Sequence, residues 1–236
     1  ILLSRHGIDR PMLALHEHNE TQQAPALVRR MQKGERVALI SDAGTPLLSD
    51  PGFRLVRLAA EAGLEVLAVP GPSAITAALS VSGLPTDRFT FEGFLPSRPS
   101  ARAKCITGLA GEERTLVFFE SSHRIADSLA DLEATFGAAR PAAVCRELTK
   151  QFETVLRGTL AEIRQAVEAD ENQRKGEFVV LVGGSVSSPD AHLAQAVELA
   201  FELKTHLGGS QAARVAAKIH GVARRDVYAA LEARSE

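Results

Sequence analysis

Short apolar runs alternate along this chain with stretches of helical period. The runs fall at Arg36–Ile40, Glu65–Val69, Thr115–Phe119, Ala142–Arg146 and Phe178–Val182. Their length and polar flanks predict strands. Between them, Phe53–Ala62 sets Phe53, Leu55, Val56, Leu58 and Ala59 at helical spacing and is followed by Gly63, a predicted C-terminal cap. Ser73–Ser82 reads as a helix of small residues, and Ile125–Phe136 carries Ile125, Leu129, Leu132 and Phe136 on one face. Asp50-Pro51 predicts a helix start, aspartate as N-cap and proline in the first turn. Strands separated by helices predict an α/β fold with largely parallel sheets, because parallel neighbours need crossover connections.

Two breaks in periodicity divide the chain. Proline and glycine interrupt Pro85–Arg98, and Gly183–Pro189 has the composition of a flexible linker. They predict an α/β unit over 1–88, a second over 89–184, and a helical segment over 185–236 with a helix break at Gly221.

Composition narrows the function classes. Of 236 residues, 45% are hydrophobic and 24% charged, and the formal net charge is −2. A protein basic all over is excluded, so nucleic acid would have to meet local patches. Two such patches stand out: Arg98, Arg102 and Lys104, then Arg214, Lys218, Arg224 and Arg225. For the second, a solvated helix face is an equal alternative. No apolar run approaches the roughly 20 residues of a membrane span. Cys105 and Cys145 stand alone, which fits a reducing cytoplasm, and no HExxH or CxxC spacing offers a metal site.

The stretch "SDAGTPLLSDPGF", Ser41 to Phe53, crowds glycine, proline and aspartate behind the apolar run ending at Ile40. The predicted loop lies at the carboxyl edge of a strand, where α/β sheets bind ligands. A second loop, "VPGPSAITAALS", Val69 to Ser80, repeats the arrangement, and the two are expected to line one crevice. Neither is a dinucleotide fingerprint, a phosphate-binding loop or a nucleophile elbow. Ser73 is a helix cap or a ligand contact rather than a nucleophile.

In order, "SDAGTPLLSDPG", "PGPSA", "FEGFLP", "FFESSHR", "RELTKQFE" and "GEFVVLVGG" resemble the tetrapyrrole-methylase (class III) fold of S-adenosylmethionine-dependent methyltransferases. Within it they are most similar to the bacterial branch that methylates the ribose 2′-oxygen of a cytidine in the decoding region of small-subunit (16S) ribosomal RNA. The resemblance implies two α/β domains with the cofactor cleft between them, a homodimer and a cytoplasmic enzyme. Measured against that family the first strand is missing, and Ser122 replaces the usual proline of "SPHR". It also implies cofactor contacts from Ala43, Gly44, Thr45, Pro46 and Leu48, and from Gly71, Pro72, Ser73, Ala74 and Ile75. Phe119, Gly176 and Glu177 would contribute from the second domain.

Candidate acid–base and acceptor-binding groups cluster after two strands: Glu120, His123 and Arg124 in "ESSHR", and Arg146, Glu147 and Lys150 in "RELTK". The base is Glu147 or Lys150 on this reading. A capping role for His123-Arg124 and a structural ion pair for Arg146-Glu147 are the competing explanations. The same fold with a tetrapyrrole or protein acceptor, and a non-catalytic cofactor- or ribosome-binding module, remain as alternatives to RNA methylation.

Overall fold

The computed structural model describes residues 2–185 and 189–234, so part of the expected 183–189 linker lies outside the described residues. One mixed sheet contains β1 (Phe89–Phe94), β2 (Thr115–Ser121), β3 (Pro141–Arg146), β4 (Thr154–Thr159) and β5 (Glu177–Val182). Their spatial order is β1-β2-β5-β3-β4. The helices are α1 (Leu2–Arg5), α2 (Glu17–Gln32), α3 (Phe53–Glu61), α4 (Ala74–Ser82), α5 (Pro99–Gly108), α6 (Ile125–Phe136), α7 (Leu160–Ala169), α8 (Pro189–Leu207), α9 (Gly209–His220) and α10 (Arg224–Ala233).

The expected largely parallel sheet is corrected. Among the described residues only β1 and β2 pair in parallel; β5 runs antiparallel to β2 and β3, and β3 antiparallel to β4. The reason is connection length: residues 147–153 are too few for the dozen or so a parallel crossover needs. Because β2 and β3 both oppose β5, they run parallel to each other. Their carboxyl ends and the start of β5 therefore share one sheet edge, where Ser121 lies opposite Glu177 and Arg146 opposite Phe178.

Arg36–Ile40 and Glu65–Val69 are also corrected. Both are non-helical, and among the described residues neither joins a strand ladder. Most of their apolar side chains face outward, with Val69 89% and Leu67 71% exposed, while Leu39 is half-buried beside Gly52. An apolar run records a tendency to be buried; it becomes a strand only where a neighbour takes its backbone N–H and C=O groups.

The second-half runs are apolar throughout because their sheet is covered on both faces. On one face Leu116, Phe118, Val144, Val180 and Val182 pack with Ile106 of α5, Leu129 and Leu132 of α6, and Ile163 of α7. On the other, Val117, Ala143, Cys145, Val179 and Leu181 pack with Ile75, Ala78 and Leu79 of α4. Alternation along β2 and β5 sends successive residues to opposite faces. Thus α4, though N-terminal to the 85–98 break, is a layer on this sheet. Helices α2 and α3 pack separately through Ala24, Leu27, Val28, Leu55 and Ala59. Helices α8 to α10 close around an alanine-rich core completed by Val227 and Leu231, with a turn at Gly221 as expected.

Candidate cofactor pocket

The loop after Ile40 reverses repeatedly before α3. Gly44 (φ 69°) and Gly52 (φ 129°) occupy conformations that favour glycine, and Leu47 (φ 73°) and Ser49 (φ 61°) adopt the left-handed region despite their side chains. The expected start at Asp50-Pro51 is corrected: α3 begins at Phe53 with Gly52 as N-cap. Asp50 is engaged elsewhere, its Oδ2 accepting the Ser41 hydroxyl at 2.6 Å. The cap comes from α2, where buried Glu20 Oε1 accepts the amides of Gly52 (3.1 Å), Arg54 (2.7 Å) and Leu55 (3.3 Å).

The two glycine–proline loops meet. Thr45 Oγ1 donates to the Pro72 carbonyl at 2.8 Å, fixing the AGTP loop to the start of α4. Ser73 is the N-cap of α4, but its side chain makes no capping bond. Between these loops and the sheet edge lies a cavity of about 440 Å³, within the usual range of small-molecule sites, about 300–1,000 Å³.

Ala43, Gly44, Thr45, Leu48, Ser73, Ala74, Phe119, Gly176 and Glu177 line that cavity. Pro46, Gly71, Pro72 and Ile75 are not among its lining residues; Pro72 holds Thr45 through its carbonyl, and Ile75 is buried against the sheet. Phe94, Ser121, Leu148 and Cys145 line it without having been anticipated. Phe94 lies inside a stretch whose glycine and proline read as a domain join, which concealed β1. The Phe119 ring contacts those of Phe91 and Phe94 edge-on, at 4.8 and 5.7 Å between centroids, and gives the cavity an aromatic wall. Burial pushes the Cys145 thiol up to about 11.

The charged candidates divide by what holds them. Glu120 also lines the cavity, yet its carboxylate is 1% exposed and occupied. It accepts Arg124 Nη2 at 2.8 Å, the Ser121 amide at 2.7 Å and the Ser128 hydroxyl at 2.6 Å. Arg124 is the N-cap residue of α6 and also donates to the Leu95 carbonyl. Arg146 donates to the carbonyls of Lys175 (2.6 Å) and Phe152 (2.9 Å), tying two loops together. His123 is exposed beyond the cavity lining. Arg102 of the first basic cluster turns inward, 5% exposed, to pair with Asp131 at 2.6 Å.

Lys150 lines the cavity and bridges two carboxylates, Glu147 Oε1 at 2.9 Å and Glu177 Oε2 at 2.8 Å. Glu147 Oε1 also accepts the Glu177 amide at 2.9 Å. A Cβ on Gly176 would fall 2.5 Å from the Glu147 side chain, so this contact needs glycine there, at φ 101°. The Lys150 ammonium holds the Glu147 carboxyl below its ordinary value, and Glu177 and then Glu147 hold Lys150 above its own. Glu147 (φ 50°) and Thr149 (φ 65°) share the left-handed backbone of Leu47 and Ser49. Among the described residues, every positive-φ non-glycine lies in one of the two loops at this cavity, and such backbone strain clusters at functional sites.

The profile of the Tetrapyrrole (Corrin/Porphyrin) Methylases matches residues 4–164, more than half of the chain. The chain belongs to the tetrapyrrole methylase family. Among its relatives within that family, "Ribosomal RNA small subunit methyltransferase I" of Xylella fastidiosa (strain Temecula1) is 56% identical over 96% of this chain and 83% of its own length. The protein of the same name from Escherichia coli O157:H7 is 44% identical over 97% and 80%. Solved structures share the tetrapyrrole methylase fold at low identity. Diphthine synthase superposes with a TM-score of 0.53 at 15% identity, covering 77% of this chain and 72% of its own. The methyltransferase CobJ gives 0.52 at 21%, covering 70% and 72%.

Proposed function

We propose that this tetrapyrrole methylase transfers a methyl group from S-adenosylmethionine to small-subunit ribosomal RNA, at the ribose 2′-oxygen of a decoding-region cytidine. The observation that carries the reading is 56% identity across 96% of the chain to a protein named for methylation of that RNA. The solved structures with other names share the fold alone. Such a reaction belongs in the bacterial cytoplasm, and among the described residues no helix is long and apolar enough to cross a membrane.

The cavity fits the cofactor. The side of Gly44 that a Cβ would occupy has no atom within 4 Å, so a ligand can lie against the loop backbone. Small residues, Ala43, Ser73 and Ala74, leave room beside it, and the Phe94 and Phe119 rings suit a sulfonium cation. When bound, S-adenosylmethionine supplies an activated methyl group. The Thr45–Pro72 bond and the Glu20 cap hold the loops that orient it, and orientation contributes much of the rate in such a displacement.

The acceptor side falls to the second cluster. Lys150, kept as an ammonium by Glu147 and Glu177, stabilises negative charge developing on the ribose oxygen. Glu147, depressed in pKa and engaged through Oε1, positions Lys150 and is a weak base. Glu177, the more exposed carboxylate of the two at 73% against 17%, is the one open to receive the proton. Arg146 holds the two loops that carry this cluster through the Lys175 and Phe152 carbonyls, whereas Arg124 and Glu120 brace the start of α6 and the segment at Leu95. We also infer a homodimer; light scattering at micromolar concentration should give about twice the 25.2 kDa chain mass, and the single-chain mass would count against it.

Incubating the protein with S-adenosylmethionine and unmodified small subunits, then mapping ribose methylation, tests the function. One new 2′-O-methyl cytidine in the decoding region supports it; no transfer to RNA overturns it.

A further inference from the structure

The helical unit α8–α10 takes no part in the cavity described above, yet it carries a hollow of its own. About 460 Å³ opens at the α8–α9 junction, where Gly208, Gly209 and Ser210 leave the floor without bulk. Two arginines from different helices line it: Arg214 from the second turn of α9 and Arg224 from the first position of α10. Arg224 is held there by a neutral partner, its Nη2 donating to Ser210 Oγ at 2.7 Å. Among the described residues neither arginine pairs with a carboxylate. Their neighbours differ in this respect, since Arg225 pairs with Asp226 and Arg234 with Glu198.

Two exposed guanidinium groups that line one hollow, neither ion-paired to a carboxylate among the described residues, favour an anion placed between them, with the Glu232 carboxylate standing at the Gly209 side of the floor. A guanidinium offers a planar fork of donors that matches phosphate oxygens in pairs. Lys218 follows Arg214 by four positions, so it extends the same face of α9 toward the Gly221 turn. Cations strung along one helix face beyond a two-arginine hollow suit a chain of phosphates better than a single one.

We propose that the α8–α9 hollow binds the phosphate backbone of the RNA acceptor, with Arg214 and Arg224 gripping one phosphate and Lys218 the next. The inference rests on the RNA-methylating function proposed above and assigns its substrate-holding surface to the helical unit. Of the first basic cluster Arg102 is consumed by Asp131 while Arg98 and Lys104 stay exposed; of the second, Arg214 and Arg224 share one hollow.

The test uses the whole chain, a short fluorescein-labelled RNA from the decoding region, and anisotropy titrations between about 50 and 200 mM salt. Variants are Arg214→Gln, Arg224→Gln and the pair, with Lys33→Gln at the end of α2 removing one charge elsewhere. Each arginine variant should reduce the slope of log affinity against log salt by about one. The pair should weaken binding at least about tenfold, with melting temperature and S-adenosylmethionine affinity unchanged and Lys33→Gln close to wild type. RNA binding by wild type that the arginine variants leave intact, or that Lys33→Gln lowers equally, overturns the assignment alone. Binding of inorganic phosphate at the hollow with RNA affinity indifferent to both arginines overturns it likewise. Wild type that neither binds nor methylates RNA overturns the functional reading and this inference with it.

Discussion

Glu20 Oε1 accepts the backbone N–H of Arg54 at 2.7 Å, across thirty-four residues of sequence. A buried carboxylate from α2 thereby satisfies the amides at the start of α3 and anchors the far end of the AGTP loop. Helix α3 has no side-chain cap of its own, because its N-cap is Gly52.

Replacing Glu20 with alanine should therefore cost about 1–2 kcal/mol, as for a lost helix cap. Urea denaturation measures that loss. Cofactor affinity should fall with it, since the loop loses its anchor; unchanged stability would show that water serves those amides equally well.

The extent to which sequence revealed this molecule follows from which signals are local. Helix α6 has the expected bounds because apolar spacing along Ile125–Phe136 is a property of that segment alone. The meeting of the two glycine–proline loops was also legible, since both carry the same local punctuation. That the two N-terminal apolar runs stay out of any ladder among the described residues was not, because pairing depends on a neighbour that no single run encodes. The α3 cap was misplaced for the same reason: Asp50 is adjacent in sequence, but the acceptor that arrives is Glu20. At the site, residue types pointed to Glu147 and Lys150, while their protonation depends on Glu177 across the sheet edge.

Lys150→Met should lower the single-turnover methylation rate by about 10²–10³-fold, the usual effect of losing one charge-stabilising group, and leave cofactor affinity intact. Equal loss of cofactor affinity would move Lys150 from the acceptor side to the cofactor side.

The same ion pair predicts a pH signature. Glu147 is depressed, so its contribution is complete above the ordinary glutamate value, about 4.3, and disappears as pH falls through the lowered one. Lys150 is raised, so its contribution is complete below about 10.4 and disappears as pH climbs through the higher value. The stability difference between wild type and Lys150→Met should be flat between these limits and shrink beyond both. It should stay below about 1 kcal/mol, because these side chains are partly solvated. Urea melts of both proteins across pH check it; a difference that varies within the neutral range contradicts the assignment.

Gly176→Ala should disturb the site without touching the sheet core. The added methyl meets Glu147 at 2.5 Å, on a backbone at φ 101°, and such strain costs on the order of 1–3 kcal/mol. Melting temperature and methylation rate should both fall; a variant with wild-type values for both would show that Glu147 and Gly176 are not tightly opposed.

The cavity between the AGTP loop, the start of α4 and the sheet edge is the proposed seat of S-adenosylmethionine. Isothermal calorimetry of the cofactor against wild type and Ala74→Trp, a substitution on the cavity wall, tests it most directly. Saturable binding to wild type is expected, with loss of at least about tenfold in affinity, about 1.4 kcal/mol, for an Ala74→Trp protein whose melting temperature is retained. Equal affinity for the two folded proteins would place the cofactor elsewhere.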